Sequence, residues 1–158
     1  MQTNVYYKAK FMTKKEMLHA IEHAKHIHLE QMNKIKSEIA GKKVENPTAL
    51  GKMECECGIW FYEHEEEMKN VCGLQLFERL DKSHERWHID YANIYNLLFK
   101  EEKKGLFSKI MGSSNRSEMK LDKAKLYFSE LQKDTEALLI ASESAIRRVS
   151  ALNNSKFS

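Results

Sequence analysis

A chain of 158 residues, 42% hydrophobic and 31% charged, is long enough for one domain with its own core and gives no reason to seek a second. Its 26 basic and 23 acidic residues are interspersed and leave a net charge of only +3, which argues against a nucleic-acid or anionic-membrane binder. Residues 1–7 lack the apolar core of a secretory signal and no stretch is apolar for long enough to span a bilayer. A cytoplasmic protein is expected, with its three cysteines outside any structural disulfide.

With one proline and six glycines, breakers are few, and the apolar residues recur at three and four. The pattern predicts an all-α protein, an antiparallel four-helix bundle over residues 13–158 preceded by an arm, residues 1–12. Thr13-Lys14-Lys15-Glu16 is a capping box opening helix one, which runs to about Ile39 and stops at Gly41. Helix two starts at Asn46-Pro47, passes through Cys55 and Trp60, and ends in Glu65, Glu66 and Glu67 before Asn70 and Gly73. Helix three runs from Leu74 to about Lys103. A loop at 105–115 then leads to a cap at Asn115-Arg116-Ser117-Glu118 and helix four, seamed by Leu121, Ala124, Phe128, Leu131, Leu138, Ala145, Val149 and Leu152. The arm and the 105–112 loop mix basic and apolar residues, and both are expected to dock on the protein's own bundle.

All seven histidines and all three cysteines fall between His19 and His88, so any metal site is built by that half of the chain. On helix one the apolar stripe is Ile21, Ala24, Met32, Ile35 and Ile39, and His28 lies in its middle. His19, His23 and His26 fall on the opposite face, where a solvated surface is expected before a metal patch. On helix three Phe77, Leu80, Tyr91, Ile94 and Leu98 define a stripe that includes His84 and His88. Three inward imidazoles would repel if protonated and lose hydration if unpaired, and a shared cation removes both costs. Zinc is the first metal to test. For the thiolate, a helical wheel through Leu50, Met53 and Trp60 selects Cys57 and puts Cys55 about 160° away with Ile59 and Tyr62. Residues 59–62 are apolar on both faces, so the wheel leaves either cysteine open.

Cys-x-x-Gly-x-Trp-Phe at Cys55–Phe61, with His28-Leu29 upstream and His84-Glu85-Arg86-Trp87-His88 downstream, resembles the chemoreceptor zinc-binding (CZB) domain from about Ala20 to His88. The resemblance implies zinc ligands His28, Cys55, His84 and His88, with Gly58 permitting close helix approach and Trp60 packing beside the site. Two positions depart from the family: Gln31 or Met32 stands where an aromatic is usual, and Cys57 where an apolar residue is usual. The family's domains are helical bundles, often dimeric, that regulate attached chemoreceptors or diguanylate cyclases and are discussed as sensors of zinc or of hypochlorous acid. This chain has no receptor hairpin or cyclase signature. The resemblance therefore implies a non-catalytic, stand-alone or excised regulatory module, a homodimer acting on a partner signalling protein. A zinc that merely staples the bundle is the second reading. A di-iron carboxylate or hemerythrin-like bundle is the third, and it needs inward carboxylates at Glu-x-x-His spacing, whereas Glu85 lies between the two histidines.

Overall fold

The computed structural model describes residues 11–100 and 113–157, with side chains omitted at 113–116. Among these there is no strand. The helices are α1 (Lys14–Ile39), α2 (Glu56–Glu63), α3 (Glu65–Cys72), α4 (Leu74–Leu98) and α5 (Ser113–Ala151). The predicted 105–112 loop and nearly all of the arm lie outside the described residues.

Helix α1 starts as its sequence dictates. The Thr13 hydroxyl accepts from the Glu16 amide while the Glu16 carboxylate accepts from the Thr13 amide, so two amides otherwise left without partners are satisfied reciprocally. The helix closes at Ala40, and Gly41 follows at φ +83, a left-handed value that favours glycine. Helix α4 ends at Leu98, five residues short of expectation, and α5 starts at Ser113, so Asn115 is inside that helix and not its cap.

The chain does not form the long second helix expected from Asn46 onward. Residues 42–55 are not helical, and helix resumes only at Glu56, breaking again at His64 between α2 and α3. Asn46 takes a positive φ of 53, and Pro47 disfavours helix in the residue before it. The carbonyls that a helix would have used internally are held by side chains of α1 and α4. Lys34 Nζ donates to the Asn46 carbonyl at 3.0 Å, Tyr91 OH to that of Thr48 at 2.9 Å, and His88 Nδ1 to that of Leu50 at 2.9 Å. The Thr48 amide donates to Gln31 Oε1 at 2.8 Å. Tertiary hydrogen bonds thus replace the i to i−4 ladder over this strap.

The bundle is antiparallel in chain order. Lys14 Nζ donates to the carbonyls of Ser150 and Leu152, which sets the start of α1 beside the end of α5. Glu56 meets His23 and Glu67 accepts from the Met12 amide, so α2 and α3 run back along α1. Trp87 bonds Thr135 and Arg148 bonds the Val71 carbonyl, which sets α4 against α5 in the opposite sense. Two apolar clusters form. One contains Met17, Phe61, Met68, Phe77, Ala141 and Val149, and the other Ile35, Trp87, Tyr91, Ile94 and Leu131. His28, His84 and His88 sit on α1 and α4 between them, buried as the helical stripes predict. No described helix is long and apolar enough to cross a membrane.

Candidate metal centre

His28, Cys55, His84 and His88 are 2%, 2%, 3% and 5% exposed, and one ligating atom from each lies within 4.8 Å of all the others. The hydrogen bonds fix which imidazole nitrogen faces inward. His28 Nδ1 donates to the Ala24 carbonyl at 2.8 Å and His88 Nδ1 to the Leu50 carbonyl, so in both rings Nε2 keeps a free lone pair. His84 Nε2 lies 3.2 Å from Cys55 Sγ and 3.1 Å from His88 Nε2. Two imidazole lone pairs at that separation repel unless a proton or a cation lies between them. A tetrahedral zinc with nitrogen at about 2.0–2.1 Å and sulfur at about 2.3 Å separates its ligands by about 3.3–3.6 Å, so the two contacts of His84 would open slightly and the wider pairs, all within 4.8 Å, would close onto the ion. His84 Nδ1 is buried without a protein partner, and His84 lines a cavity of about 30 Å³, room for one water.

Cys55 is not inside a helix. It is the N-cap of α2, with φ −74 and ψ 151, and its sulfur accepts from the Gly58 amide at 3.2 Å. A thiolate is favoured there because the first amides of a helix point at it and carry partial positive charge. The neighbouring Cys57 thiol first, and then His84, hold Cys55 well below the ordinary thiol range, against the effect of burial. The same pairing, with burial added, pushes Cys57 well up, so within the Cys-Glu-Cys step the charge rests on Cys55 and the proton on Cys57. His28 is lowered to about 4, first by burial and then by the charge of His84. A neutral imidazole in that position is a ready ligand.

The wheel's other markers fall away with its helix. Leu50 and Met53 are 37% and 57% exposed, Ile59 is exposed, and only Gly58 and Phe61 of α2 are buried. Gly58 does permit a close approach, chiefly of the strap. A Cβ there would lie 1.6 Å from the Lys52 carbonyl oxygen and 3.2 Å from His84 Cε1. Trp60 is half-buried, stacks on His64 and packs against the Phe61 cluster, one wall away from the ligands. Cys57 is half-buried, and the three cysteines are free. His19, His23 and His26 are exposed, as expected.

Residues not foreseen also build the site. Trp87 is fully buried, stands edge-on to His28 at 4.6 Å between ring centres, and donates Nε1–H to Thr135 at 2.9 Å. Gln31 is buried and anchors the strap that carries the Leu50 carbonyl. The apolar setting of Trp87 on the α4 stripe was readable. The backbone acceptors of the strap were not, because they depend on its leaving the helix. Lys52 ties the strap's end to Asp81 at 3.1 Å and to Glu85 at 3.2 Å, so Glu85 is an exposed ion-pair partner. No carboxylate belongs to the buried four, and among the described residues no other group of ligands is gathered in the way a di-iron bundle requires.

A helical bundle with three buried imidazoles and one buried thiolate, suited to zinc, defines the class of closed His₃Cys centres. Residues 28–95 match the model of the chemoreceptor zinc-binding domain, CZB, a span that begins at His28 and holds the other three residues of the cluster. The chain carries a CZB domain over those residues. No curated protein and no solved structure matches it.

Proposed function

We propose that His28, Cys55, His84 and His88 bind one zinc ion and that the domain, residues 13–158, is a non-catalytic sensory module whose state is read by a partner signalling protein. The convergence of three Nε2 atoms on the Cys55 sulfur is the observation that carries this reading. Four protein donors complete a tetrahedral shell and leave no position for an activated water, which favours regulation over hydrolysis. The signal is zinc occupancy, oxidation of the Cys55 thiolate, or both, because an oxidised sulfur is a poor zinc ligand. A homodimer belongs to the same reading. It would use exposed Met119, Leu126 and Ile140, which recur at multiples of seven on α5, and a monomeric mass by light scattering at high concentration would remove it.

A zinc that only staples the fold is the competing reading, and the placement of Cys55 separates the two. Cys55 joins the strap to α2, whereas α5, the longest helix, brings no ligand and buries Ala124, Leu131, Leu138, Ala145 and Val149 against the rest. Such residues contribute on the order of 1–3 kcal/mol each, so the core outlasts the metal. Hydrogen exchange should therefore show protection lost from Lys52 to Tyr62 on chelation, and the same loss after oxidation, with α4 and α5 unchanged. Equal protection in both states would leave the zinc inert, and loss of protection throughout the chain would make it a staple.

A further inference from the structure

The four buried residues are almost sealed from solvent, so an ion must reach them by some route. Beside them α1 and the start of α2 border an open groove of about 180 Å³ lined by His19, His23, Glu56, Cys57 and Trp60. His19 and His23 are one turn apart on α1, with rings parallel within 5° and centres 6.3 Å apart. His23 Nε2 is 2.8 Å from Glu56 Oε1. Two imidazoles and a carboxylate are donors for zinc and its neighbours in the transition series. Cys57 and Trp60 line this groove and also a smaller cavity, of about 30 Å³, that touches His84, so they stand between the groove and the buried cluster.

We propose that His19, His23 and Glu56 form a second, weaker site for a divalent transition-metal ion in this groove, and that Cys57 passes the ion inward to the buried cluster. The transfer rests on the zinc reading above, whereas the outer site stands without it. Among the described residues only the buried four are gathered closely enough to be held together at once. The outer donors must rotate onto an ion, which suits a site that has to release it. Transfer is ligand exchange at an ion that stays divalent: a Cys57–metal bond forms as an imidazole leaves, a Cys55–metal bond then replaces it, and the proton displaced from Cys57 returns to it from water. The function also accounts for a second cysteine that the buried cluster does not use.

The test uses the full chain stripped of metal, with zinc alone as probe. Calorimetric titration should give one tight and one weak ion in the wild type, both ions in Cys55→Ser with the tight one weakened by about two to three orders of magnitude, and the tight ion alone in the His19→Ala, His23→Ala double variant. In stopped flow that double variant should load the tight ion about tenfold more slowly, because the groove no longer concentrates the cation. Cys57→Ser should keep both ions and load slowly. Wild-type loading rates in the double variant, or a wild type that binds nothing beyond the tight ion, would overturn the proposal. A wild type without the tight ion would instead defeat the zinc reading, and a weak ion abolished by the two alanines would still establish the outer site.

Discussion

Cys55→Ser should lower zinc affinity by about two to three orders of magnitude, while Cys57→Ser leaves equilibrium affinity within a few-fold of wild type. Structural zinc sites bind with roughly 10–16 kcal/mol shared among four donors, so the loss of one thiolate is worth about 3–4 kcal/mol. The asymmetry follows from position. Cys55 is 2% exposed, and its sulfur caps α2 through the Gly58 amide and lies 3.2 Å from His84 Nε2. Cys57, two residues on, sits in the wall of the surface groove and holds the proton of the pair. Competition against a chromophoric chelator measures both affinities. If Cys57→Ser proves the weaker binder, the thiolate has been assigned to the wrong residue.

Metal-free protein should lose stability on acidification between about pH 6.5 and pH 4. The unfolded chain protonates an ordinary histidine near 6.5, whereas burial, and then the charge of His84, hold folded His28 neutral to about 4. The unfolded state therefore takes the proton first. The contribution is complete above 6.5 and is lost as pH falls through the window, at a cost of about 3 kcal/mol. Asp134 works in the opposite sense. Its carboxyl is pushed up to about 7 by burial and by a hydrogen bond with Asp90, so it gains a proton on folding over much of the same range. Urea unfolding is accordingly best compared in an Asp134→Asn background at the two ends of the window. A midpoint that stays level or rises at the acid end would show that His28 is not held neutral by its surroundings.

How much of this was legible depends on whether the deciding interactions are local. Helix α1 was readable to within a residue because Thr13 and Glu16 cap it within its own sequence. His28, His84 and His88 were readable because they ride on long helices whose stripes extend well beyond them, and all three are buried. The strap was not readable. Residues 46–50 carry a helical pattern, but Lys34, Tyr91 and His88 bind their carbonyls from distant parts of the chain, and no periodicity reports that. The error carried over to the cysteines. A wheel drawn through Cys55 treats as helical a residue whose ψ is 151, which turned a cap into an outward-facing position and selected Cys57. The family resemblance selected Cys55 because it compares spacing along the chain and needs no wheel. Gly58 was attributed to helix approach, whereas the nearest atom to its missing Cβ is the Lys52 carbonyl oxygen of the strap.

X-ray absorption at the zinc edge on the purified full chain tests the assignment of the centre most directly, because it counts ligands by element and distance. His28, Cys55, His84 and His88 predict one zinc per chain with three nitrogen neighbours at about 2.0–2.1 Å and one sulfur at about 2.3 Å, with the sulfur shell lost in Cys55→Ser and retained in Cys57→Ser. A shell without sulfur, a shell with two sulfurs, or a spectrum unchanged by Cys55→Ser would contradict it.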